Sequence, residues 1–326
     1  MFDRRDFLAV TAGIAALAGW PILSRAQAFE TARILVGFPP GGTVDAVARR
    51  VAEKLRGNYA KTVVVENKPG AGGRLAVEEL KRSAPDGTTL LVTPAAMITL
   101  YPHVYTKLAY GVDDVTPVST VAQVAFAFGV GPAVPESVKN IKDFLAWAKA
   151  NPAMANYGSP GAGSPPHMEG ALLSKESGVE LRHVPYRGSA PGIQDLLGGQ
   201  VTAFSSPIGD YLPHLKSGKL RVLATSGAAR SRFAPDVPTY TEQGFKALEM
   251  VEWYGLFLPA KAAPEVVQRA ATAVRTAMTS PDMAEGLAAF GMEVQVSSPA
   301  ELTKAVNDEN AAWGPIIKKV GFTPEA

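Results

Sequence analysis

The 326-residue chain has 32 basic and 30 acidic residues, a net charge of +2, and no cysteine. A near-neutral balance without a dense Lys/Arg cluster argues against nucleic-acid binding. The absence of cysteine excludes disulfides, a thiolate metal site and a cysteine nucleophile. With 47% hydrophobic residues, the chain is large enough for one α/β unit or for two lobes, and we favour two lobes.

The first 28 residues have the pattern of an export signal. Arg4 and Arg5 precede an apolar run over residues 9–23, and residues 26–28 have the small-x-small pattern of a signal-peptidase site. The arginine pair indicates the twin-arginine route, with an ordinary secretory signal as the alternative. The apolar run is short for a permanent membrane span. We therefore predict a mature chain that begins near Phe29 in the periplasm.

Beyond this leader, strand-like and helix-like patterns alternate along the chain. Apolar and β-branched runs indicate the strands, and apolar residues at helical spacing indicate the helices. Strands are predicted at residues 33–37, 62–66, 88–92, 121–130, 181–185, 201–205, 220–225 and 253–258. Helices are predicted from residue 43, at 74–82, 141–150, from 165 to about 174, and at 190–197, 211–216, 264–279, 283–290 and 299–317. Such alternation implies largely parallel sheets covered by helices, with a ligand outside the carboxyl ends of the strands.

Two Gly/Pro-rich turns, at residues 38–45 and 158–167, each follow a predicted strand and open onto a predicted helix. Small residues before a helix leave its first N–H groups free beside the positive end of the helix dipole, and this arrangement binds anions. Two such turns predict a cleft that holds one anion from both sides. The simplest function for this cleft is the capture of a small carboxylate.

The first turn supplies the candidate ligand-binding residues Phe38, Pro40, Gly41, Gly42, Thr43 and Asp45. The two glycines would allow an anion to approach closely, although a tight turn alone could also require them. Thr43 is a candidate N-cap whose hydroxyl could instead face the anion. Asp45 lies in the first helical turn, where a carboxylate favours the dipole. Its contact with a ligand would need a ligand hydroxyl, an amine or a bridging water.

The second turn supplies the candidates Gly161, Ala162, Gly163, Ser164 and His167. Ser164 is predicted as an N-cap with Pro165 at the first helical position, which places His167 in the first turn. This histidine either contacts the ligand or is a satisfied structural residue. A catalytic serine–histidine pair is rejected, because no Gly-x-Ser-x-Gly elbow surrounds the serine and no orienting acid follows.

Weaker candidates for the walls of the cleft stand at the ends of predicted strands. Arg187 could pair with a ligand carboxylate, or it could be a solvated surface arginine. Ser205 and the neighbouring Ser206 stand together at the end of the predicted strand 201–205. Trp253 and Tyr254 are predicted to be core residues, with the alternative that one of them shields the ligand. The candidates added here are Thr93, Ala95, Arg187, Ser205 and Asp210.

Neither a metal nor a cofactor is predicted. The histidines outside the second turn, His103, His183 and His214, lack the spacing of zinc ligands. Both Gly-x₄-Gly segments resemble the start of a phosphate-binding loop. The next residue is Thr43 in one and Ser164 in the other, where that loop requires lysine.

Several motifs together resemble a known family. In the first half they are residues 38–45 (FPPGGTVD), 64–73 (VVENKPGAGG) and 84–87 (APDG). In the second half they are residues 161–164 with His167, 184–188 (VPYRG), 195–200 (DLLGGQ), 217–220 (SGKL), 236–239 (DVPT) and 253–256 (WYGL). These motifs resemble the Bug family, the periplasmic solute-binding proteins of tripartite tricarboxylate transporters, over the whole mature chain. Residues 93–96 lack the serine or glycine often present in that family.

The resemblance implies an α/β, two-lobe periplasmic binding protein of the Venus-flytrap, type II-like class. In such a fold the chain crosses twice between the lobes. Lobe 1 is expected at residues 29–127 plus 249–326, and lobe 2 at residues 128–248. The hinge is expected at residues 121–130 and 246–253.

The resemblance also implies a function without catalysis. We expect a monomer that binds a small carboxylate, partly through ordered waters, and delivers it to the membrane permease of a tripartite tricarboxylate-type transporter. The alternatives are a ligand sensor that reports to a membrane signalling protein and, less favoured, a periplasmic hydrolase. The sequence does not select among dicarboxylates, tricarboxylates, aromatic acids, and amino or amide compounds as the ligand.

Overall fold

The computed structural model describes residues 29–323, so the predicted export signal at residues 1–28 lies outside the described residues. The strands are β1 (Phe29–Val36), β2 (Ala60–Asn67), β3 (Thr89–Pro94), β4 (Val115–Val130), β5 (Asn156–Ser159), β6 (Arg182–Pro185), β7 (Ala203–Pro207), β8 (Arg221–Thr225), β9 (Val251–Pro259) and β10 (Glu293–Val294). The helices are α1 (Thr43–Leu55), α2 (Arg74–Arg82), α3 (Ala96–Thr99), α4 (Tyr101–Val104), α5 (Ile141–Ala150), α6 (Pro165–Ser177), α7 (Ser189–Leu197), α8 (Leu212–Leu215), α9 (Pro264–Met278), α10 (Pro281–Ala288) and α11 (Pro299–Val320).

The first sheet has the strand order β2-β1-β3-β9-β4. β1 is parallel to β2 and β3, whereas β9 is antiparallel to both of its neighbours. Ile34, Leu35 and Val36 at the end of β1 are fully buried in succession. A strand covered by helices on both faces has such a continuous apolar run. The apolar stripe of α1 packs against β1, β2 and β3 and covers one face.

β4 is a 16-residue strand that belongs to both sheets. Its residues 115–125 pair with β9, and its residues 126–130 pair with β7 and β8. The second sheet continues from β4 through β7, β5 and β6, and the last three strands are mutually parallel. The molecule therefore has the predicted two-lobe α/β architecture, and β4 is one crossover between the lobes.

The chain returns to the first sheet beside Met250. The N–H of Met250 donates to the carbonyl of Ser226 at the end of β8, and β9 begins at the next residue. Both crossovers fall within or beside the predicted hinge segments, residues 121–130 and 246–253. The lobe ranges given above stay a prediction.

The C-terminal helix α11 contacts both lobes. It packs on β4, α3 and α4, and it also packs on α6 of the second lobe. Glu309 accepts hydrogen bonds from Trp253 at 2.6 Å, Thr99 at 3.0 Å and Trp313 at 3.1 Å. Near the end of the helix, Lys319 forms an ion pair with Glu176 of α6. Helix α11 therefore connects the lobes as a third element beside the two crossovers.

Two further findings limit the kinds of site within residues 29–323. No helix there combines the length and the apolar character needed to cross a membrane. The same residues contain no group of three or more His, Cys, Asp or Glu side chains arranged to hold a metal ion.

Candidate functional site

The carboxyl ends of the parallel strands bring the candidate residues to the facing edges of the two lobes. β1 leads into the first turn and helix α1, and β5 leads into the second turn and helix α6. β6 and β7 end at residues 185 and 207, next to Arg187 and Asp210. Ligands of open α/β sheets bind at this edge.

The first turn is exposed and leaves the N-terminus of α1 uncapped. Gly42 is the N-cap, with φ −76° and ψ 169°, and no side chain bonds to the N–H groups of the first helical turn. The prediction of Thr43 as the N-cap was wrong, because Thr43 is the first helical residue and its hydroxyl lies 3.3 Å from the hydroxyl of Tyr254. The N–H groups of Thr43 and Val44 also lack an intrahelical acceptor, as at any helix start.

Gly41 and Asp45 hold the first turn in shape. Gly41 has a φ of +87°, and its N–H donates to Oδ2 of Asp45 at 2.9 Å. Asp45 is buried, and it also accepts hydrogen bonds from Arg49 at 2.8 Å and from Asn67 at 2.8 Å. Burial raises the pKa of this carboxyl, but the hydrogen bonds from Arg49, Gly41 and Asn67 together lower it below the usual 3.8. In this structure Asp45 is a scaffold residue of the turn.

This arrangement predicts a pH-dependent contribution of Asp45 to stability. We expect Asp45→Asn to lower the free energy of unfolding at pH 7 by about 1.5–3 kcal/mol, because a hydrogen bond to a charged group contributes about this much to stability. A carboxyl whose folded pKa lies below 3.8 stabilises the protein above the unfolded pKa and loses that effect as the pH falls through the folded pKa. Urea unfolding of both proteins from pH 7 to pH 3 measures the difference.

The difference between wild type and Asp45→Asn should therefore shrink below about pH 4. Glu136→Gln is the control, because Glu136 is exposed and has no hydrogen bond or ion pair within residues 29–323. A difference that stays constant down to pH 3 would contradict the assigned role of Asp45.

The second turn confirms the predicted cap but differs from the first turn in its donors. Ser164 is the N-cap of α6 and accepts the N–H of His167 at 3.4 Å, with Pro165 at the first helical position. Proline has no N–H, so Pro165 and Pro166 leave the start of α6 without the donors that α1 presents. The N–H groups of Gly161 and Ala162 are the donors of this turn without an acceptor in the described chain. The two turns therefore do not present equivalent sets of N–H donors.

His167 is neutral and fixes the second turn. Gly163 has a φ of +71°, and its N–H donates to Nδ1 of His167 at 3.0 Å. The ring of His167 stacks on the ring of His183 with a centroid separation of 3.6 Å and an angle of 9°. Burial lowers the pKa of His167 to about 4 and that of His183 to about 3, where the neighbouring His167 adds to the effect. His167 therefore offers no positive charge to an anion at neutral pH.

Ser205 and Ser206 point to opposite faces of β7, as successive residues of a strand do. The hydroxyl of Ser205 donates to the carboxyl of Glu169, which is fully buried. Burial raises the pKa of Glu169 to about 8. Ser205, predicted as a ligand contact, is therefore turned into the interior of lobe 2. Ser206 has no hydrogen-bond partner among the described residues.

Asp210 follows the carboxyl end of β7 in lobe 2 and lies beside the hydroxyls of Ser189 and Ser206. Burial raises its pKa, and the two hydroxyls oppose that effect. Its charge also acts on the phenol of Tyr254, whose hydroxyl contacts Thr43 of α1. A cavity of about 220 Å³ adjoins it, lined by Ser189, Ala190, Ile193, Gln194, Asp210 and His214. The charge of Asp210 therefore acts across to Tyr254 of β9, next to the start of α1.

The remaining candidates have varied positions. Thr93 and Ala95 are buried, and the N–H of Ala95 donates to the carbonyl of Trp253, so Ala95 is not available to a ligand in this structure. Phe38 is half-buried against the chain at Gly73, whereas Pro40 is exposed. Arg187 is exposed and forms no ion pair within residues 29–323.

Sequence reasoning missed two polar residues of lobe 2. Ser189 is the first residue of α7 and follows Gly188, so it stands at a third strand–glycine–helix junction of the kind used to find the two turns. Glu169 is a charged residue on the apolar face of α6, and a charged residue at an apolar position is the sequence signal that could have identified it as buried.

No hydrogen bond joins the two turns to each other in the described part of the chain.

The comparisons with known proteins identify the fold and its family. The profile of the tripartite tricarboxylate transporter family receptor matches residues 47–322. The chain belongs to this family. It is 30% identical to BugT of Bordetella pertussis over 316 residues, which cover 95% of this chain and 94% of BugT. Members of the family are substrate-binding proteins and not enzymes, as predicted.

Two solved structures from Rhodopseudomonas palustris are similar over most of their length. Rpa4515, solved with adipate, has a TM-score of 0.82 and 29% identity, and the match covers 90% of this chain and 98% of that one. MatC, solved with bound malate, has a TM-score of 0.78 and 27% identity, and the match covers 88% of this chain and 98% of that one. The present chain is thus a solute-binding protein of the Bug type.

Proposed function

We propose that this protein captures a small carboxylate in the periplasm, between its two lobes, and delivers it to the membrane permease of a tripartite tricarboxylate-type transporter. The observation that carries the proposal is the uncapped N-terminus of α1 behind the exposed Gly41-Gly42 turn. Such an N-terminus has N–H donors and the positive end of a helix dipole, so it favours a carboxylate.

The facing edge of lobe 2 completes the proposed site. The N–H groups of Gly161 and Ala162 are available to a ligand or to bridging waters. Ser206 and Asp210 add polar atoms at the end of β7. The exposed guanidinium of Arg187 follows β6 and is the candidate partner for a distal carboxylate.

The ligands of the similar structures support this ligand class. Rpa4515 was solved with adipate and MatC with malate, and both compounds are dicarboxylates. The family description, a receptor of tripartite tricarboxylate transporters, supports the permease as the partner.

A thermal-shift screen tests the proposal. A panel of dicarboxylates, tricarboxylates, aromatic acids and amino acids is compared with the amides or methyl esters of the same compounds, which lack the charge. A ligand present at one hundred times its Kd should add about 2.7 kcal/mol to the free energy of unfolding. Stabilisation by a carboxylate but not by its ester is the expected result. The proposal fails if no acid in the panel stabilises the protein more than its ester does.

A further inference from the structure

Asp210 has a buried carboxyl oxygen without a donor at the edge of the cleft. Oδ2 of Asp210 is buried without a hydrogen-bond partner in residues 29–323. Asp45, in contrast, accepts hydrogen bonds from a backbone N–H, a guanidinium and an amide, and Glu309 accepts three from side chains. Glu169 also has one oxygen without a partner there, but it lies in the interior of lobe 2, where no ligand reaches it. Asp210 therefore combines an unpartnered oxygen with a position at the cleft.

The surroundings of Asp210 do not neutralise its charge. No ion pair joins it to a basic side chain of the described residues, and the groups beside it are the hydroxyls of Ser189 and Ser206. The Oγ atom of Ser206 is itself buried without a partner there. A buried carboxylate without a compensating donor is costly, and where such a group borders a cavity it is an acceptor for a donor from outside the chain.

The position of Asp210 indicates what that partner is. Asp210 follows the carboxyl end of β7 and borders the cavity of about 220 Å³ at the start of α7. Its charge reaches Tyr254, which contacts Thr43 at the start of α1. A ligand held by its carboxylate at α1 would therefore extend toward Asp210 and Ser206 on the opposite wall.

We propose that Asp210 and Ser206 receive a hydrogen-bond donor of the ligand, so that this protein selects carboxylates that carry an amino or hydroxyl group over unsubstituted ones. This inference rests on the proposed function and adds a specificity determinant to it. An ammonium group gains both a hydrogen bond and an ion pair with Asp210, whereas a hydroxyl gains the hydrogen bond alone. The expected order is therefore amino acid, hydroxy acid, unsubstituted acid.

Calorimetry with matched acids tests the order. Each series keeps the carbon skeleton and changes one substituent, as in succinate, malate and aspartate, glutarate, 2-hydroxyglutarate and glutamate, or propionate, lactate and alanine. In the series that binds best, we expect the amino acid to bind at least about tenfold more tightly than its unsubstituted parent, a typical factor for a charge-assisted hydrogen bond.

Two variants assign the preference to this wall. Asp210→Asn keeps the shape and removes the charge, so the amino acid should lose most of its tenfold advantage while the unsubstituted acid binds as before. Ser206→Ala should weaken the substituted acids to a smaller extent. Asp236→Asn is the matched control, because Asp236 is exposed and lies outside the cavity.

Each outcome decides a different question. If the unsubstituted acid binds as tightly as its amino and hydroxy analogues, or if Asp210→Asn leaves the order unchanged, the inference is overturned and the proposed function stands. If no acid in these series binds and no acid in the thermal-shift panel stabilises the protein, the proposed function fails as well.

Discussion

Replacing Gly42 with valine should weaken carboxylate binding at least about tenfold, the loss expected when hydrogen bonds to a charged group are blocked. Gly42 has a φ of −76°, which valine adopts readily, and a Cβ at this position would have the Pro39 carbonyl oxygen as its nearest neighbour, at 3.7 Å. The side chain therefore fits the folded protein but covers the N–H groups at the start of α1. Isothermal calorimetry with the best ligand of the screen measures the loss.

The ligand-free stability separates this effect from misfolding. Because glycine and valine differ at an N-cap by about 1 kcal/mol or less, Gly42→Val should unfold at nearly the urea concentration of the wild type. Gly111→Val is the matched control, since Gly111 is also extended and open but precedes β4 away from the proposed site. Unchanged affinity in Gly42→Val would exclude the first turn as the carboxylate site.

In contrast to Gly42→Val, which should lose affinity but keep its stability, Gly163→Val should lose about 2–5 kcal/mol in the free energy of unfolding. A φ of +71° costs an L-residue roughly 1–2 kcal/mol. A Cβ at this position would lie 2.4 Å from Cγ1 of Val104, and overpacking of this kind costs about 1–3 kcal/mol. Urea denaturation of the ligand-free protein measures the sum.

The control for this variant lies in the same turn. Gly161 is not in the left-handed region, and a Cβ there meets no atom within 4 Å, so Gly161→Val should keep the stability of the wild type. Equal stability of the two variants would show that Val104 does not pack against the second turn as described. If Gly163→Val also binds weakly, the cause would be the disturbed packing of the second turn against Val104 of α4 and not the loss of a ligand contact.

Much of the fold was predictable because it depends on local patterns. The apolar stripe that begins at Val44 predicted α1, and Ser164 followed by Pro165 predicted the start of α6. Helices α3 and α4 were missed. The N–H of Ala96 at the start of α3 is capped by the carboxyl of Glu252, 156 positions away. No window of neighbouring residues contains that information.

The candidate site was predictable in outline but not in its donors. Sequence similarity between the two turns suggested equal roles, yet prolines at 165 and 166 remove donors that α1 retains. The direction of each strand residue also depends on register, so the sequence did not distinguish Ser205, which donates to Glu169, from Ser206, which lies beside Asp210. His167 was placed correctly in the first turn, while its stacking on His183 depends on the pairing of β5 with β6.

The continuity of β4 has a consequence for how the molecule is divided. Residues 115–125 complete the first sheet, and residues 126–130 provide the second sheet with its pairing to β7 and β8. Excising either lobe at the predicted boundary would leave strand edges without their hydrogen-bond partners. The two lobes are therefore not independent folding units, and neither is a ready-made module for transfer into another protein.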